Sequence, residues 1–548
     1  MLAVLFYVIN SIAILSNCAD FVYFKFINKR STADLFRLIS AGTDFLNLLP
    51  TFIKDYWYIL LIWLSLIVLM VYLYRKTLRQ QASVIKYKLL DYVTQSILWI
   101  VSLGLSVIAF RGGAQLRPIM IINAAEYSTA KNIPLIINTP FSIITTIQAQ
   151  GINESHYFSD NEVEKLYSPL HVYKKENKSF NKMNVVVIIM ESFSKEYIGS
   201  LNNNEGYTPF LDSLISQSLV FDNAFANGKK SMEGIPAVVA SIPAWMTEPF
   251  ITSNYGSNRI NSLASVLKKE GYKTSFFHGG VNGTMGFNSF AKLAGFDDYY
   301  GKNEYNNDAD YDGNWGIWDE PFFQYFAKQL NQMQQPFFSA FFSLSSHHPF
   351  LVPEKYKSMF KDGPLEIDKS VRYSDYALRK FFETASKMPW FDNTLFIITA
   401  DHTGISSDQV YSNRVGMYRI PIVFYKKDSD FKGVDHTLIQ QIDIMPSILD
   451  YLNYNEPFFA YGESAFKNDK KRFTVNYIDG VYQILDSTYV LQFDGNKPMA
   501  LYNYKKDNVL SQNKIDAEPV VSNHLESQLK ATIQTYNSTM IHNKMVAE

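Results

Sequence analysis

The chain has 548 residues, of which 47% are hydrophobic, 15% aromatic and only 19% charged, a mix that excludes a disordered or low-complexity protein and leaves ample apolar surface for a large core. Its 51 Lys and Arg balance 52 Asp and Glu, so no basic field argues for nucleic acid. One cysteine, Cys18, excludes an intrachain disulfide, a cysteine-based zinc cluster and a CxxC redox pair.

In chain order, the first predicted elements belong to a membrane. Residues 1–19, 56–74 and 92–110 contain no charge. Each run approaches the ~20 residues that carry a helix across a hydrocarbon core of ~30 Å. Tyr and Trp near their ends fit membrane interfaces, so three spanning helices are predicted within residues 1–110. A signal peptide is the alternative for residues 1–19, but no basic segment precedes the run and no convincing cleavage site follows it. The run opens at the first residue, which is compatible with earlier spans upstream. Arg75, Lys76, Arg79, Lys86 and Lys88 crowd the segment between the second and third runs. By the positive-inside rule that segment is cytoplasmic and everything beyond residue 110 lies outside, although Lys29, Arg30, Arg37 and Lys54 in the preceding loop argue the other way.

Residues 111–183 read as a connector, whose apolar piece 133–147 is broken by Pro134 and Pro140 and is predicted to lie along a surface rather than to span. From residue 184 short apolar β-type runs alternate with amphipathic helical stretches. This pattern predicts an α/β domain built on a mostly parallel, doubly wound sheet over residues 184–505. The strands are expected at 184–190, 273–277, 336–344, 394–400 and 420–425, and the helices at 208–219, 260–271, 371–387 and 437–452. Antiparallel β structure is expected at 473–478 and 481–493, and residues 506–548 form a tail with a polar helix at 519–545.

The residues that end these strands carry chemistry. Glu191 follows the first strand, His278 the second, His347-His348 the third and Asp401-His402 the fourth. In open α/β sheets the carboxyl edge is where ligands bind. Carboxylate oxygens together with an imidazole suit a divalent cation of the Mg, Mn or Zn kind. Taken singly, Glu191 or a histidine after a strand reads first as a cap or loop residue, and Asp401-His402 equally as a turn; their coincidence at one edge is what points to a metal site. Ser231 follows a Gly-Lys-Lys loop and opens a predicted helix, where a hydroxyl meets free N–H groups and a divalent ion could hold it as an alkoxide. Spacing alone leaves Ser231 equally a nucleophile or a helix N-cap. Lys229 and Lys230 read as solvated loop charges.

Glu191, the GKKS segment ending in Ser231, FHG at 277–279, SHHPF at 346–350 and TADHTGI at 399–405 together resemble the lipoteichoic acid synthase group. These are membrane-anchored phosphoglycerol transferases of the alkaline phosphatase and sulfatase superfamily. The resemblance implies one metal ion, most often Mn2+, held by Glu191, Ser231, Asp401 and His402, with Mg2+ or Zn2+ as alternatives. It implies Ser231 as nucleophile, where threonine is usual, and His278 and His347 as contacts to the transferred phosphoryl group. It also implies a phospholipid donor, a glycan or lipid acceptor of the cell envelope, and no nucleic acid. A Trp-Asn-Arg segment that grips glycerol phosphate in that family is missing. Residues 281–290 read VNGTMGFNSF, with Met285 and Phe287 where the Trp and Arg would stand. Headgroup orientation is then expected from Asn282 or Trp315, unless 281–290 is merely a packed loop. A phosphoethanolamine transferase or phosphodiesterase on the same fold is the alternative, and a non-catalytic binding protein the reading from another class. A formylglycine sulfatase is disfavoured, because Ser231-Met232-Glu233-Gly234-Ile235 lacks the C/S-x-P-x-R context.

Overall fold

A computed structural model of the chain describes residues 2–27, 30–33, 54, 56–78, 88–115, 118–128, 132–147, 151–172, 179–429, 431–467 and 472–547. It divides into two compact units, Met1–Gly151 and Ile152–Glu548.

In the first unit, α1 (Leu2–Ile27), α2 (Trp57–Leu78) and α3 (Leu89–Arg111) are each long and apolar enough to cross a membrane. α1 and α2 pack together, with the Trp63 indole donating to the Ser11 carbonyl at 3.0 Å and Phe6 stacked on Tyr74. No residue of α3 is buried, as expected of a helix whose apolar surface meets lipid rather than protein. Arg75, Lys76 and Lys88 flank the second and third of these helices, while Arg79 and Lys86 lie outside the described residues, as do Lys29 and Arg37. The 133–147 piece forms two short helices, Ile133–Ile136 and Thr139–Thr146, too short to span. They are tied to the end of α1 through Asp20, which is fully buried and accepts from Thr139 Oγ1, Ser31 and Arg30, and Arg30 also donates to the Pro134 carbonyl.

The second unit runs β1 (Asn184–Met190), α4 (Pro209–Ile215), β2 (Leu219–Phe221), α5 (Ser231–Ala240), α6 (Leu263–Lys269), β3 (Lys273–His278), α7 (Phe287–Leu293), β4 (Asp298–Tyr300), α8 (Asp319–Leu330), β5 (Phe337–Phe342), α9 (Asp368–Ala385), β6 (Thr394–Ala400), β7 (Ile422–Tyr425), β8 (Gly433–Asp435) and α10 (Ile444–Tyr451). Four antiparallel strands follow, β9 (Thr474–Ile478) to β12 (Pro498–Tyr502), and then α11 (Pro519–Ile541). The main sheet has eight strands in the order β8-β2-β7-β6-β1-β5-β3-β4. All neighbours are parallel except β7, which is antiparallel to both β2 and β6. β1, β5 and β6 are buried at every residue, which is why their sequences are uncharged and mostly apolar rather than alternating. α9 covers one face with Val371, Leu378, Phe381, Phe382 and Ala385, a helical spacing that seats Phe381 on Phe323 and Phe326 of α8.

Two local expectations change. The helix expected over 437–452 is only its second half: Ile439–Gln440 pairs as a strand beside Ala224–Phe225, and a 3-10 turn precedes α10. α11 is no detached tail, since Leu525, Leu529, Tyr536 and Met540 are buried and Tyr536 packs on Trp245.

Candidate active site

Parallel strands β3, β5, β1 and β6 present their carboxyl ends along one edge, and the site is built there. Glu191, directly after β1, is fully buried; its backbone N–H donates to Ser343 Oγ at 2.8 Å and its carbonyl accepts from Ser346 Oγ at 2.6 Å. Asp401, directly after β6, is also fully buried, and its Oδ1 accepts from the backbone N–H groups of Ser192 and His402, both at 2.8 Å. The two loops are thereby laced together across the β1–β6 pair. One ligand atom each from Glu191, Asp401 and His402 lies within 4.8 Å of the others.

Ser231 joins this cluster from a different element. It is the first residue of α5, and its Oγ lies 3.2 Å from Glu191 Oε2, to which it donates. Lys230 is the N-cap, and Glu233 takes up the N–H groups of Lys229 at 2.7 Å and Lys230 at 3.1 Å, so Ser231 is not serving as the cap. Two contacts hold α5 against Asp401. Gly234, one turn beyond Ser231, packs so closely that a Cβ there would stand 2.1 Å from the Asp401 carbonyl oxygen. Buried Gln441 donates to the carbonyls of Ala400 and Asp401 at 2.7 Å and accepts from the Asn227 N–H at 2.7 Å, linking the end of β6 to the loop that leads to Ser231.

The cluster fits a divalent cation. Asp401 Oδ2 is buried and accepts no hydrogen bond, while His402 Nε2 stands 3.2 Å from it and 3.8 Å from Glu191 Oε1. His402 Nδ1 lies 2.9 Å from the Thr403 carbonyl, which can only accept, so the Nδ1 proton is committed there and Nε2 is offered to the cluster. Burial, and the Asp401 carboxylate alongside, push Glu191 well above the usual carboxylate range. Two buried carboxylates with an orphaned oxygen and a presented imidazole nitrogen are what a hard or borderline dication compensates.

Lys229 corrects the sequence reading. Its ammonium is turned inward, donating to Thr403 Oγ1 and to the Met417 carbonyl, and burial pushes it down to about 8. Lys230 does stay exposed.

His278 ends β3 fully buried, with its ring stacked on Phe342 at 4.8 Å and edge-on to Phe287 at 5.2 Å. Phe287 is itself fully buried, so it braces this histidine rather than lining an open pocket. Burial pushes His278 down to about 4, leaving it neutral at pH 7. A base depressed below its unfolded value of ~6.5 contributes stability that is complete above that value and lost as pH falls toward 4. Thermal unfolding of the full chain should therefore show a midpoint that drops between pH 6.5 and 4, and His278→Phe should flatten that limb.

His347 and Trp315 come together, with ring centroids 4.3 Å apart, and the Trp315 indole donates to the His348 carbonyl at 2.7 Å. Asn282 instead lies against the short helix Lys302–Tyr305 that follows β4: its amide nitrogen reaches both carboxylate oxygens of Glu304, at 3.0 and 3.1 Å. The loop bearing His347 is fixed by Asp319, which no sequence signal singled out. Fully buried Asp319 accepts from the Leu344 and Ser345 N–H groups at 2.8 and 3.1 Å and from Ser374 Oγ at 2.7 Å. Asp319→Ala should lower kcat/KM about 100-fold through a displaced loop, with divalent-ion affinity nearly unchanged; Asp319→Asn, which keeps an acceptor, should recover most of it. Calorimetric ion titration beside steady-state kinetics checks both.

Residues 183–454 match the family model described as Sulfatase. This segment is a sulfatase-family domain. The chain is 27% identical over 351 residues to lipoteichoic acid synthase 1 of Bacillus subtilis, covering 59% of this chain and 54% of that protein. It is 27% identical over 312 residues to lipoteichoic acid synthase of Staphylococcus aureus, covering 52% and 48%. The chain thus spans about half the length of the curated relatives it matches. Among solved structures, an alkaline phosphatase superfamily protein from Vibrio parahaemolyticus aligns with a TM-score of 0.62 at 23% identity, over 74% of this chain and 96% of that one. Lipoteichoic acid synthase LtaP from Listeria monocytogenes aligns with a TM-score of 0.58 at 21% identity, over 70% and 98%. The sulfatase-family domain therefore has the alkaline phosphatase/sulfatase fold, and the edge bearing Glu191, Asp401 and His402 lies within the matched residues.

Proposed function

We propose that the protein is a membrane-anchored phosphotransferase that moves a phosphorylated headgroup, phosphoglycerol-like, from a phospholipid to a glycan or lipid acceptor of the cell envelope. The observation that carries this reading is the convergence of Ser231 on the Glu191, Asp401 and His402 cluster, with Ser231 Oγ 3.2 Å from Glu191. The likeness to lipoteichoic acid synthases supports the type of group moved.

Glu191, Asp401, His402 and Ser231 would hold the ion, Mn2+ first and Mg2+ or Zn2+ as alternatives. Bound there, a divalent ion supplies Lewis acidity, lowering the pKa of the Ser231 hydroxyl and offsetting charge on the phosphate. Ser231 Oγ attacks the phosphorus of the donor phosphodiester in line; the P–Oγ bond forms, the P–O bond to the diacylglycerol breaks, and that oxygen leaves with a proton. The acceptor hydroxyl then attacks the phosphoserine, its proton is released, and Ser231 regains its hydroxyl. His278, neutral at pH 7, serves as proton acceptor or hydrogen-bond partner rather than as a cation. His347, packed on Trp315, faces the transferred group, and Trp315 gives that group an apolar wall in place of the missing arginine.

Outward placement of the domain rests on Arg75, Lys76 and Lys88 beside the second and third spans. Incubating the full chain with phosphatidylglycerol and with phosphatidylethanolamine, followed by mass spectrometry of the Ser231 peptide, tests the reading. A glycerophosphoryl adduct supports it; an ethanolamine-phosphoryl adduct moves it to the phosphoethanolamine class; no adduct with either lipid rejects the covalent route.

A further inference from the structure

One side of the catalytic mouth is apolar and exposed. Val281, three residues beyond β3, is 42% exposed, and Leu351, on the loop that leaves β5, is 43% exposed. A chain of contacts joins them: the Val281 N–H donates to the Trp315 carbonyl at 3.3 Å, the Trp315 indole donates to the His348 carbonyl, and His348 packs edge-on to Phe350, the residue before Leu351. Phe350 sits at φ +59°, a conformation that a bulky residue rarely adopts and that belongs to the turn delivering Leu351 outward. The segment continues through residues 351–361 with exposed Met359, three lysines (Lys355, Lys357, Lys361) and a single acid, Glu354; Lys355 pairs with Glu320 and Lys357 with Glu354, while both remain more than half exposed.

Exposed aliphatic side chains around a polar catalytic centre cost solubility unless something covers them. Here they are joined to an indole and flanked by a net positive segment, the composition that seats at a lipid–water interface carrying negative charge. The same chain carries three helices long and apolar enough to cross a membrane, and a domain tethered by such helices needs only a weak surface contact.

We propose that Val281, Trp315 and Leu351, continued by the basic 351–361 segment, form a lip that rests on the surface of an anionic bilayer and lets a lipid headgroup enter the site at Ser231 without leaving the membrane. The proposal rests on the lipid-donor reading above and names the surface through which that donor arrives. The lip adds apolar contact at the interface, while the lysines add attraction that salt weakens.

The test uses the full chain reconstituted in vesicles of phosphatidylcholine with about one third phosphatidylglycerol, enough anionic lipid to attract a basic segment. In a Cys18→Ser background, an environment-sensitive dye is placed at Leu351→Cys, Val281→Cys or Asp392→Cys, the last exposed just before β6 at the opposite edge of the sheet. Lipids brominated near the headgroup should quench the dye at 351 and 281 and leave 392 unaffected. Equal quenching at all three, quenching at none, or protection of 351 that rises with protein density in the vesicle would overturn the lip, the last by assigning the face to a second copy. In parallel, Val281→Asp combined with Leu351→Asp should lower kcat/KM on vesicle-embedded donor about ten-fold or more, with a water-soluble short-chain donor turned over within about two-fold of the unsubstituted chain. Equal loss on both donors overturns the proposal. If the unsubstituted chain turns over neither donor, the transferase reading has failed, and the quenching pattern still decides the lip.

Discussion

Replacing Ser231 by alanine is expected to lower headgroup release from phospholipid by about 1,000-fold or more, because it removes the hydroxyl proposed to make the in-line attack. The substitution removes one oxygen and leaves Glu191, Asp401 and His402 in place, since these are held by their own contacts to Ser343, Ser192 and Thr403. Divalent-ion affinity measured by calorimetry should therefore change far less than turnover. Ser231→Thr, which keeps the hydroxyl, should stay within about ten-fold of the starting activity, its extra methyl costing only local repacking. Wild-type turnover in Ser231→Ala with the ion bound would show that Ser231 is not the nucleophile.

Gly234→Ala should act with the opposite sign to an ordinary glycine-to-alanine change inside a helix. Such a change normally stabilises by about 1 kcal/mol, because alanine restricts the unfolded chain. At position 234 the new methyl would meet the Asp401 carbonyl oxygen at 2.1 Å and its carbon at 2.7 Å. That carbonyl cannot easily retreat, because the Gln441 amide donates to it at 2.7 Å and buried β6 lies behind it. α5 must shift instead, carrying Ser231 away from Glu191. An overpacked contact of this kind costs about 1–3 kcal/mol, and a displacement of about 1 Å at a nucleophile costs about 100-fold in rate. Thermal unfolding together with kcat/KM checks both parts; a stabilised, fully active variant would refute the close packing of α5 on the Asp401 loop.

The acidic and imidazole groups of the candidate site were legible because of how parallel sheets are built. A strand buried on both faces is mostly apolar and carries no charge here, so the first charged residue after NVVVIIM or TLFIITA marks the strand's end and the sheet's carboxyl edge at once. Glu191, His278, Asp401 and His402 could be picked out in this way, and His347 stands just beyond the same kind of run. The three helices long and apolar enough to cross a membrane were legible for an equally local reason, since lipid requires about 20 uncharged residues in succession.

Other features depend on contacts between distant segments, which no local pattern encodes. IPIVFY has the same composition whichever way it runs, so only its hydrogen bonds show β7 to be antiparallel within the sheet. Lys229 and Lys230 are indistinguishable neighbours in sequence; the packing of Thr403 and Met417 turns one inward and leaves the other in water. Phe287 stands in sequence where the family's arginine would be expected, and burial against His278 and Phe342 makes it part of the core. Asp319 and Gln441 carry no motif, yet their side chains hold the His347 and Asp401 loops in place. By itself the sequence determined which chemical groups reach the binding edge, because burial dictates composition along each strand. Only the tertiary structure decided which of them meet and what positions them, because hydrogen bonds and close packing act between residues that are neighbours in space and far apart along the chain.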